Sequence, residues 1–599
     1  MTNDNRHNGL SIIAKAQGAF LGAAVGDALG WPQEMEAKRI DRKAASPEKS
    51  PVDRFQRWVR RSGGQYYPHE EVILPGEYSD DTQLLLCTAR SLLFGQQWWH
   101  HLTKKELPTW TCYERGGGGA TKRAAKQWLA GKEPWSAPKA ADNQKYFDAG
   151  GNGVAMRILP HCLLGATGTD FRSIAKNVVV NGVCTHGHPR ALVGALVYSF
   201  AVWIALRETN TLTYGAIIDR VLSEVKYWSE LPELDDIFPT WKPAAKEVNA
   251  GEYQKNWRST VEEMKKLLEQ CQQGMKQGAL PVEQEVLTQL GCFSSHKGAG
   301  TVSAAAAIFL ASRYAADPIN GLKFPAFAFG ADTDTIASMT GGILGAVHGI
   351  EWLGDYAEQV QDARYIRELA ENLVKNQGAG QAHLAIETRK KHLDSFLEKL
   401  AVSNHGDIVV IPDDRKANIS DRQQHQPLSK TTVANYWKVT TVDGQTLYIT
   451  KLSRQKNEMK DENHSHAVSE FPHEIDIKPV DVRQMTVKLP VVNLEKARFF
   501  YERVLGLKVE KESKALVRCD RIVLQQLNNL KSSEVPSNTP ERNATICLEI
   551  KLLEPAYNNA VQFGVKILQQ ISSKQGRRFF RCLDPDGNPV EIYQAKMDF

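Results

Sequence analysis

The sequence predicts a multidomain protein with a large all-α domain, a small strand-rich segment and a C-terminal α+β domain. From about Leu10 to Leu400, apolar residues recur at three- and four-residue spacing, which is typical of helices. β-branched residues with turn sequences come next, and the last segment alternates strand-like and helix-like runs. At 599 residues the chain is too long for one compact core, so at least two folded units are expected.

The all-α domain is predicted over residues 8–400. Its helical runs are rich in Ala and Leu and are separated by glycine-containing turns. A more charged stretch over residues 226–297 contains the amphipathic run Trp257 to Gln277 and is predicted to be a peripheral helical insertion. Other clear helical runs are Thr82 to Phe94, Arg190 to Leu206, Val302 to Ala316 and Gln381 to Ala401.

A small β-rich appendage is predicted over residues 401–452. It includes Gly406 to Pro412 and a hairpin over Tyr436 to Thr450, in which Asp443-Gly444 supplies the turn. The following residues, 453–479, are polar and charged with few large apolar side chains, which predicts a flexible linker.

The C-terminal domain is predicted over residues 480–599 as two β-α-β modules in tandem. The first module has a strand at Met485 to Val492, a helix at Leu494 to Val504, and short strands near Arg521 to Leu527. The second module repeats this order with Thr545 to Ile550, Leu553 to Phe563 and Arg577 to Tyr593.

Composition narrows the class of protein. The net charge is only +5, from 74 basic and 69 acidic residues, so neither a nucleic-acid nor a membrane partner is indicated. The apolar stretch Ala191 to Leu206 is shorter than the roughly 20 residues that cross a bilayer, and it is predicted to be a buried core helix. The N-terminus does not resemble a signal peptide, and the nine scattered cysteines lack a C-x-x-C pair. A reducing cytoplasm is therefore expected.

Two acidic clusters carry the functional hypothesis: Ser79-Asp80-Asp81-Thr82 and Asp332-Thr333-Asp334-Thr335. Each cluster precedes an apolar helical run, so both are expected at helix N-termini. One reading is that they only cap the helices, for which Ser, Thr and Asp are preferred. A cap needs one side chain, however, and oxygen-only ligands select magnesium or manganese over zinc. Spacing alone leaves both readings open.

A third acid, Glu34, follows the small-residue run GAFLGAAVGDALG. Trp31-Pro32 is expected to end that helix, and a carboxylate held by such a turn could orient water or bind a metal. Taken in isolation, the alternative reading is a surface glutamate.

Five motifs occur in order over the first 350 or so residues: G-D-A-L-G-x-P-x-E, S-D-D-T, G-N-G-x-A-M-R, T-H-x-H-P and D-T-D-T-I-A. Together they resemble the ADP-ribosylglycohydrolase family. The resemblance implies an all-α fold with a cleft holding two magnesium ions, with manganese as the alternative ion. It assigns Glu34, Asp80 and Asp81 to catalysis, and the metal ligands are then Ser79, Asp80, Asp81, Asp332, Asp334 and Thr335.

The resemblance also implies a substrate-binding set. Gly151-Asn152-Gly153 matches a loop that approaches ADP-ribose, where missing side chains let backbone amides reach the ligand. Gly118, within the run Gly116 to Gly119, is a further candidate, although a simple flexible loop is the other reading. His186 matches a cleft histidine, for which a structural role is the alternative. One departure is that Gly330-Ala331 stands where the family usually has Gly-Gly.

The function implied is metal-dependent hydrolysis of the bond between ADP-ribose and an acceptor, which is a protein side chain or a small molecule. Glu34 and Asp81 are candidates for acid-base or water-orienting roles, which the sequence does not divide between them. The alternative is a non-catalytic ADP-ribose binder or structural relative. A third reading places the main activity in the C-terminal domain.

The C-terminal run LPVVNLEKARFFYERVLGLKV and the later LDPDGNPVEIY resemble the glyoxalase and bleomycin-resistance proteins of the vicinal-oxygen-chelate superfamily. Metal-using members supply His or Gln from the first strand of each module and Glu from the last strand. Only Glu591 matches clearly, since Thr486 and Thr545 occupy the first-strand positions. The resemblance therefore favours ligand binding, recruitment or dimerisation over lyase activity.

Overall fold

The structure is a computed structural model. It describes residues 10–39, 52, 54–64, 66–166, 168, 170–208, 212–278, 280, 282–375, 387–429 and 431–454. Beyond these it describes residues 482–491, 509–513, 516–519, 522–526, 545–550, 553–562, 567–574, 577–583 and 589–594. The chain divides into two compact units, Met1–Met459 and Lys460–Phe599.

The first unit is mainly helical. Its α-helices are Ile12–Arg39 (α1), Asp80–Leu92 (α2), Trp98–His101 (α3), Leu107–Trp110 (α4), Gly119–Leu129 (α5), Ala140–Phe147 (α6), Leu159–Leu164 (α7), Arg172–Val183 (α8), Pro189–Arg207 (α9), Ala216–Ser223 (α10), Trp241–Val248 (α11), Tyr253–Lys276 (α12), Glu283–Gln289 (α13), Gly300–Arg313 (α14), Pro318–Ala326 (α15), Thr333–His348 (α16), Tyr356–Gln359 (α17), Ala363–Lys375 (α18) and Lys390–Val402 (α19). Single 3-10 turns lie at Gly95–Gln97, Ala155–Arg157, Val225–Tyr227 and Glu351–Leu353, and a π turn lies at Leu102–Glu106.

Helices α1 and α16 approach each other unusually closely along a row of glycines. Gly18, Gly22, Gly26 and Gly30 recur every four residues on α1, which places them on one face. A Cβ placed on Gly26 would lie 2.3 Å from the carbonyl oxygen of Ala337, and one on Gly30 would lie equally close to that of Thr333. Glycine is therefore required for this contact, which brings the ends of the two helices together.

The prediction that Trp31-Pro32 ends the first helix is wrong. Helix α1 continues through Pro32 to Arg39, and Glu34 therefore lies on a helix rather than in a turn. Proline removes one backbone hydrogen bond from a helix interior. Trp31 is fully buried, and the glycine row holds the preceding turn against α16, so tertiary packing compensates for that loss.

The core of the first unit surrounds α9 and α14, whose residues are almost all buried. Two helices, Ile12–Met35 and Pro189–Arg207, are long and apolar enough to span a membrane, but 78% and 94% of their apolar windows are buried inside the protein. Side chains of the predicted insertion also enter this core, since Trp228, Trp241 and Trp257 are buried within it. These tryptophans anchor the stretch to the helical core.

Two small sheets complete the first unit. One contains Trp58–Ser62 (β1), His69–Ile73 (β2) and Gln426–Pro427 (β5) in the order β1-β2-β5. The other contains Ile408–Val410 (β3), Lys416–Gln424 (β4), Thr432–Thr441 (β6) and Thr446–Arg454 (β7) in the order β3-β4-β6-β7. Gly444 turns between β6 and β7 with a φ of +100°, as the predicted Asp443-Gly444 turn requires.

The described residues of the second unit form an eight-stranded sheet and a helix. Its elements are Val482–Val491 (β8), Val509–Ser513 (β9), Leu516–Cys519 (β10), Ile522–Gln526 (β11), Thr545–Ile550 (β12), Leu553–Gln562 (α20), Ile567–Lys574 (β13), Arg577–Leu583 (β14) and Pro589–Gln594 (β15). The strand order is β13-β14-β15-β12-β8-β11-β10-β9, with the first strands of the two modules, β8 and β12, paired antiparallel at the centre. The fold class predicted from the sequence is confirmed in both units.

Two predictions fall outside the described residues: the linker over 453–479, apart from its first two residues, and the helix over Leu494 to Val504. No individual strand is predicted at β1, β2, β4, β5, β9, β10 or β13. Each is short or polar, with HEEVI and ILQQISSK as examples, and so lacks a strong apolar alternation.

Candidate metal centre

The first acidic cluster forms the N-terminus of α2. Ser79 is the N-cap, and its side-chain oxygen accepts a hydrogen bond from the backbone N–H of Asp81 at 3.2 Å. Asp27 of α1 organises the same turn: it accepts from the backbone N–H of Ser79 (3.1 Å) and of Thr82 (3.0 Å), and from the Thr82 hydroxyl (2.6 Å). The capping is thus done by Ser79 and Asp27, which leaves Asp80 and Asp81 available for another role.

The second cluster forms the N-terminus of α16. Asp332 is at the N-cap position but makes no side-chain capping hydrogen bond. Its Oδ2 instead accepts from Nδ2 of Asn152 at 2.8 Å. The Thr333 hydroxyl donates to the carbonyl of Gly30 at 2.8 Å, which ties this turn to the end of the glycine row.

The two clusters and Glu34 converge at the crossing of α1, α2 and α16. One carboxylate oxygen from each of Glu34, Asp332 and Asp334 lies within 4.8 Å of the others. The charge of Asp332 acts on Asp81, and the charge of Asp81 acts on Asp334, so the first cluster lies beside the second. The structure therefore brings together residues that are about 300 positions apart in the chain.

The electrostatics of this centre disfavour several ionised carboxylates at once. Burial, followed by repulsion from neighbouring acids, raises the pKa of Asp80 to about 8. The same causes in the same order raise the pKa of Asp81 and of Asp334 well above the ordinary value. The neighbouring acids that contribute are Asp27, Glu34, Asp80, Asp81, Glu114 and Asp332.

This donor set fits a hard divalent cation. Oδ2 of Asp81 is buried and has no hydrogen-bond partner, which is costly for a carboxylate oxygen unless a cation or water satisfies it. The surrounding ligand atoms are oxygens from carboxylates and hydroxyls, the set that magnesium and manganese prefer. A cation would also remove the repulsion that raises the carboxylate pKa values.

A glycine loop passes over the first cluster. Gly116 has a φ of +106°, and a Cβ placed on it would lie 2.9 Å from Oδ1 of Asp80. Gly118, the N-cap of α5, is exposed, and a Cβ placed there would meet nothing within 4 Å. Gly116 is therefore needed for close approach to the acids, whereas Gly118 borders open space.

The loop Gly151-Asn152-Gly153 lies against the second cluster. Asn152 donates to Asp332 and also to the Ser303 hydroxyl at 2.9 Å, and its backbone N–H donates to the carbonyl of Gly298. Gly151 forms an isolated β-bridge with Ala299. The loop is thus held beside the acids by its amide side chain and backbone.

His186 packs under the same loop. A Cβ placed on Gly153 would lie 3.0 Å from Cε1 of His186, so the glycine makes room for the ring. Burial, followed by the nearby Arg157 and Arg123, lowers the pKa of His186 to about 3, so the ring is neutral at physiological pH. Ala149 and Thr185, which flank this region, line a cavity of about 190 Å³ together with Arg123 and Tyr146.

Asp27 is a site residue that the sequence analysis missed. It lies inside the quoted motif G-D-A-L-G, and an acid within an otherwise apolar, small-residue helix was the available signal. It is fully buried, and burial raises its pKa while its hydrogen bonds with Thr82 and Ser79 oppose that shift. The departure at Ala331 is accommodated, since its methyl group is buried and Gly330 keeps the left-handed φ of +94°.

The first unit is thus a mainly helical body that brings carboxylate and hydroxyl oxygens together at two helix N-termini, in a donor set that fits a hard cation. The chain belongs to the ADP-ribosylglycohydrolase family, whose model matches residues 9–382. A second model, for the glyoxalase/bleomycin resistance protein/dioxygenase superfamily, matches residues 483–592.

Two curated relatives cover the first region. ADP-ribosylhydrolase ARH3 of Danio rerio is 27% identical over 356 residues, which are 57% of this chain and 84% of the relative. The uncharacterized protein YegU of Escherichia coli strain K12 is 24% identical over 367 residues, 59% of this chain and 95% of the relative. A solved ADP-ribosylglycohydrolase-related protein complex has 21% identity and a TM-score of 0.35, covering 61% of this chain and 99% of that one.

In the second unit, a glyoxalase/bleomycin resistance protein/dioxygenase superfamily member from Vibrio splendidus 12B01 has 17% identity and a TM-score of 0.15, covering 19% of this chain and 98% of that one. Glu591 lies on β15, where its Oε2 accepts a hydrogen bond from Nε of Arg581 at 2.9 Å. Thr486 belongs to β8 and Thr545 to β12, and the structure describes only the backbone of these two residues.

Proposed function

We propose that this chain is a magnesium-dependent hydrolase that cleaves the glycosidic bond between ADP-ribose and an acceptor. Membership of the ADP-ribosylglycohydrolase family supports hydrolysis of such a bond. The observation that carries the metal dependence is the convergence of Glu34, Asp332 and Asp334 beside the unpartnered Oδ2 of Asp81. Two magnesium ions, or manganese in their place, would be held by Ser79, Asp80, Asp81, Asp332, Asp334 and Thr335.

Bound divalent ions would supply charge stabilisation and a more acidic water at neutral pH. The residues of the chain then have separable roles. Glu34 is only partly buried, so its carboxylate lies at the edge of the centre, where it can reach a bound acceptor. Asp81 is buried and faces the interior of the centre, where it can orient water. The proton transfers, from the attacking water and to the departing atom of the acceptor, are assigned to these two carboxylates.

The glycine loops are proposed to hold the ADP-ribose. Gly116 lies against Asp80, and Gly153 lies against His186. A side chain at either glycine would fill the space beside its neighbour. Neutral His186 can donate or accept a hydrogen bond but cannot form an ion pair with a phosphate. The acceptor is a protein side chain or a small molecule, and the proposed location is the cytoplasm.

Release of free ADP-ribose from arginine-, serine- and acetyl-linked substrates, with and without Mg²⁺, tests this function. Asp334→Asn removes one charge at constant shape and should lower metal-dependent release by about 100-fold or more, since it removes a metal ligand. Asp236→Asn, which alters an exposed carboxylate paired with Lys176, should match wild type. Tight ADP-ribose binding without release from any substrate would instead identify a binding protein.

A further inference from the structure

The four-stranded sheet β3-β4-β6-β7 lies outside residues 9–382, which match the family model, yet it contacts the segments that carry the acids. Trp437, Val439 and Ile449 of this sheet are fully buried in the same core as the helices. The sheet is therefore an integral part of the first unit.

Arg115 is the centre of the contact between this sheet and the helical body. It is 3% exposed and donates from Nε to Glu71 (2.7 Å) and from Nη2 to Glu77 (2.8 Å). Its guanidinium lies over the ring of Tyr448, 4.0 Å from the ring centroid. The hydroxyl of Tyr448 donates to Oε1 of Glu77, so Tyr448 and Arg115 hold both oxygens of that carboxylate.

This network borders the metal centre on two sides. Glu77 is two residues before Ser79, so fixing its side chain restrains the backbone that leads into the first acidic cluster. Arg115 directly precedes Gly116, whose backbone approaches Oδ1 of Asp80. A shift of either segment would therefore change the position of Asp80 relative to its neighbours.

A second contact from the sheet restrains the residue after Glu77. The hydroxyl of Tyr78 donates to Oδ2 of Asp362 at 2.7 Å. The same oxygen accepts from the backbone N–H of Thr446, on β7, at 2.9 Å. The sheet thus holds Glu77 directly through Tyr448, and Tyr78 indirectly through Asp362.

We propose that the sheet β3-β4-β6-β7 positions the metal centre, and that Tyr448 is its positioning residue through Glu77 and Arg115. The inference rests on the proposed function, because it concerns the same acids. It adds residues outside 9–382, the range that matches the family model, to those that position the site. Tyr448 touches neither the acids nor a substrate, so its role is to hold Glu77 in place.

The test is Mn²⁺ binding to the full-length chain, measured by electron paramagnetic resonance. Tyr448→Phe removes the hydroxyl but keeps the ring under Arg115. We expect the Mn²⁺ dissociation constant to rise about three- to tenfold, near the lower end of the effect of losing a hydrogen-bond partner around a metal site. Glu77→Gln, which removes the charge that both partners share, should weaken binding at least as much.

Tyr365→Phe is the matched control. Tyr365, on α18, is also buried, and its hydroxyl accepts a hydrogen bond from Nη1 of Arg90 at 3.1 Å, the same nitrogen that donates to Oε1 of Gln445 at 2.9 Å. The Tyr365→Phe variant should lose about as much stability in urea as Tyr448→Phe, yet it should bind Mn²⁺ like wild type. Equal Mn²⁺ affinity in Tyr448→Phe and Tyr365→Phe would overturn the positioning role alone. A wild-type chain that binds no Mn²⁺ would overturn the proposed function and this inference together.

Discussion

At the scale of single residues, buried polar groups decide how the acids are arranged. The Asp27 carboxylate accepts hydrogen bonds from Ser79 and Thr82, so the first turn of α2 is capped from another helix. Asp332 is likewise released from capping by its contact with Asn152. These contacts separate the residues that build the turns from those whose oxygens face the centre.

Buried histidines predict a pH dependence of stability. Burial, followed by the charge of Arg157, lowers the pKa of His161 to about 3, against 6.5 for an ordinary histidine. The unfolded chain therefore binds this proton more readily, so the stabilisation is complete above pH 6.5 and is lost as the pH falls towards 3. Between pH 6.5 and 5 one such histidine accounts for at most about 2 kcal/mol.

The measurement is urea unfolding of wild type and His161→Gln at pH 7 and pH 5. Glutamine keeps a polar partner for Nδ2 of Asn181, which contacts His161 Nε2 at 3.2 Å, but it does not titrate. We expect the variant to lose less stability than wild type on acidification. An identical loss in both proteins would show that His161 is not held neutral in the folded state.

At the scale of secondary-structure elements, the crossing of α1 and α16 determines the distance between the acidic clusters. Asp27 and Glu34 lie on α1, and Asp334 lies on α16, so the glycine row sets how near these carboxylates come. Helix propensity would disfavour four glycines in one helix. Their close backbone contacts with α16 explain why they are tolerated here.

Gly26→Ala should destabilise the first unit by about 3 kcal/mol, because overpacking at a rigid contact costs that much. The new Cβ would lie 2.3 Å from the backbone oxygen of Ala337, which cannot move without shifting α16. Gly119→Ala is the control, since its Cβ would meet only the flexible end of Arg123 at the first residue of α5. The urea midpoint of Gly26→Ala should be lower than that of Gly119→Ala. Equal midpoints would contradict the close-contact explanation.

At the scale of the whole molecule, the β-rich segment belongs with the helical domain. Its strand β5 pairs with β2, and its inner face shares the helical core. The two units of the chain have separate hydrophobic clusters among the described residues, with Leu553 and Phe580 in the second. Dimerisation or ligand binding by the glyoxalase-like domain stays a proposal.

Truncation tests whether the helical domain depends on the β-rich segment and whether it depends on the second unit. Residues 1–459 should unfold at the same urea midpoint as the full chain and keep ADP-ribose release, whereas residues 1–402 should not fold cooperatively because the sheet that covers the core is lost. Intrinsic fluorescence measures this directly, since all 13 tryptophans lie within the first unit. Cooperative unfolding of residues 1–402 would show that the sheet is dispensable for the fold, which the burial of Trp437 argues against.

The sequence by itself determined the succession of helical, strand-rich and α+β segments along the chain. It also determined the family resemblance and the positions of the two acidic turns. Local patterns suffice for these, because helix periodicity, N-cap residues and the Asp443-Gly444 turn depend on neighbours in the chain. Only the tertiary structure decided that α1 continues past Pro32, that Asp27 caps α2 from a distance, and that Tyr448 contacts Glu77. These features depend on packing between residues far apart in the chain, whose gain in burial and hydrogen bonding outweighs local preference.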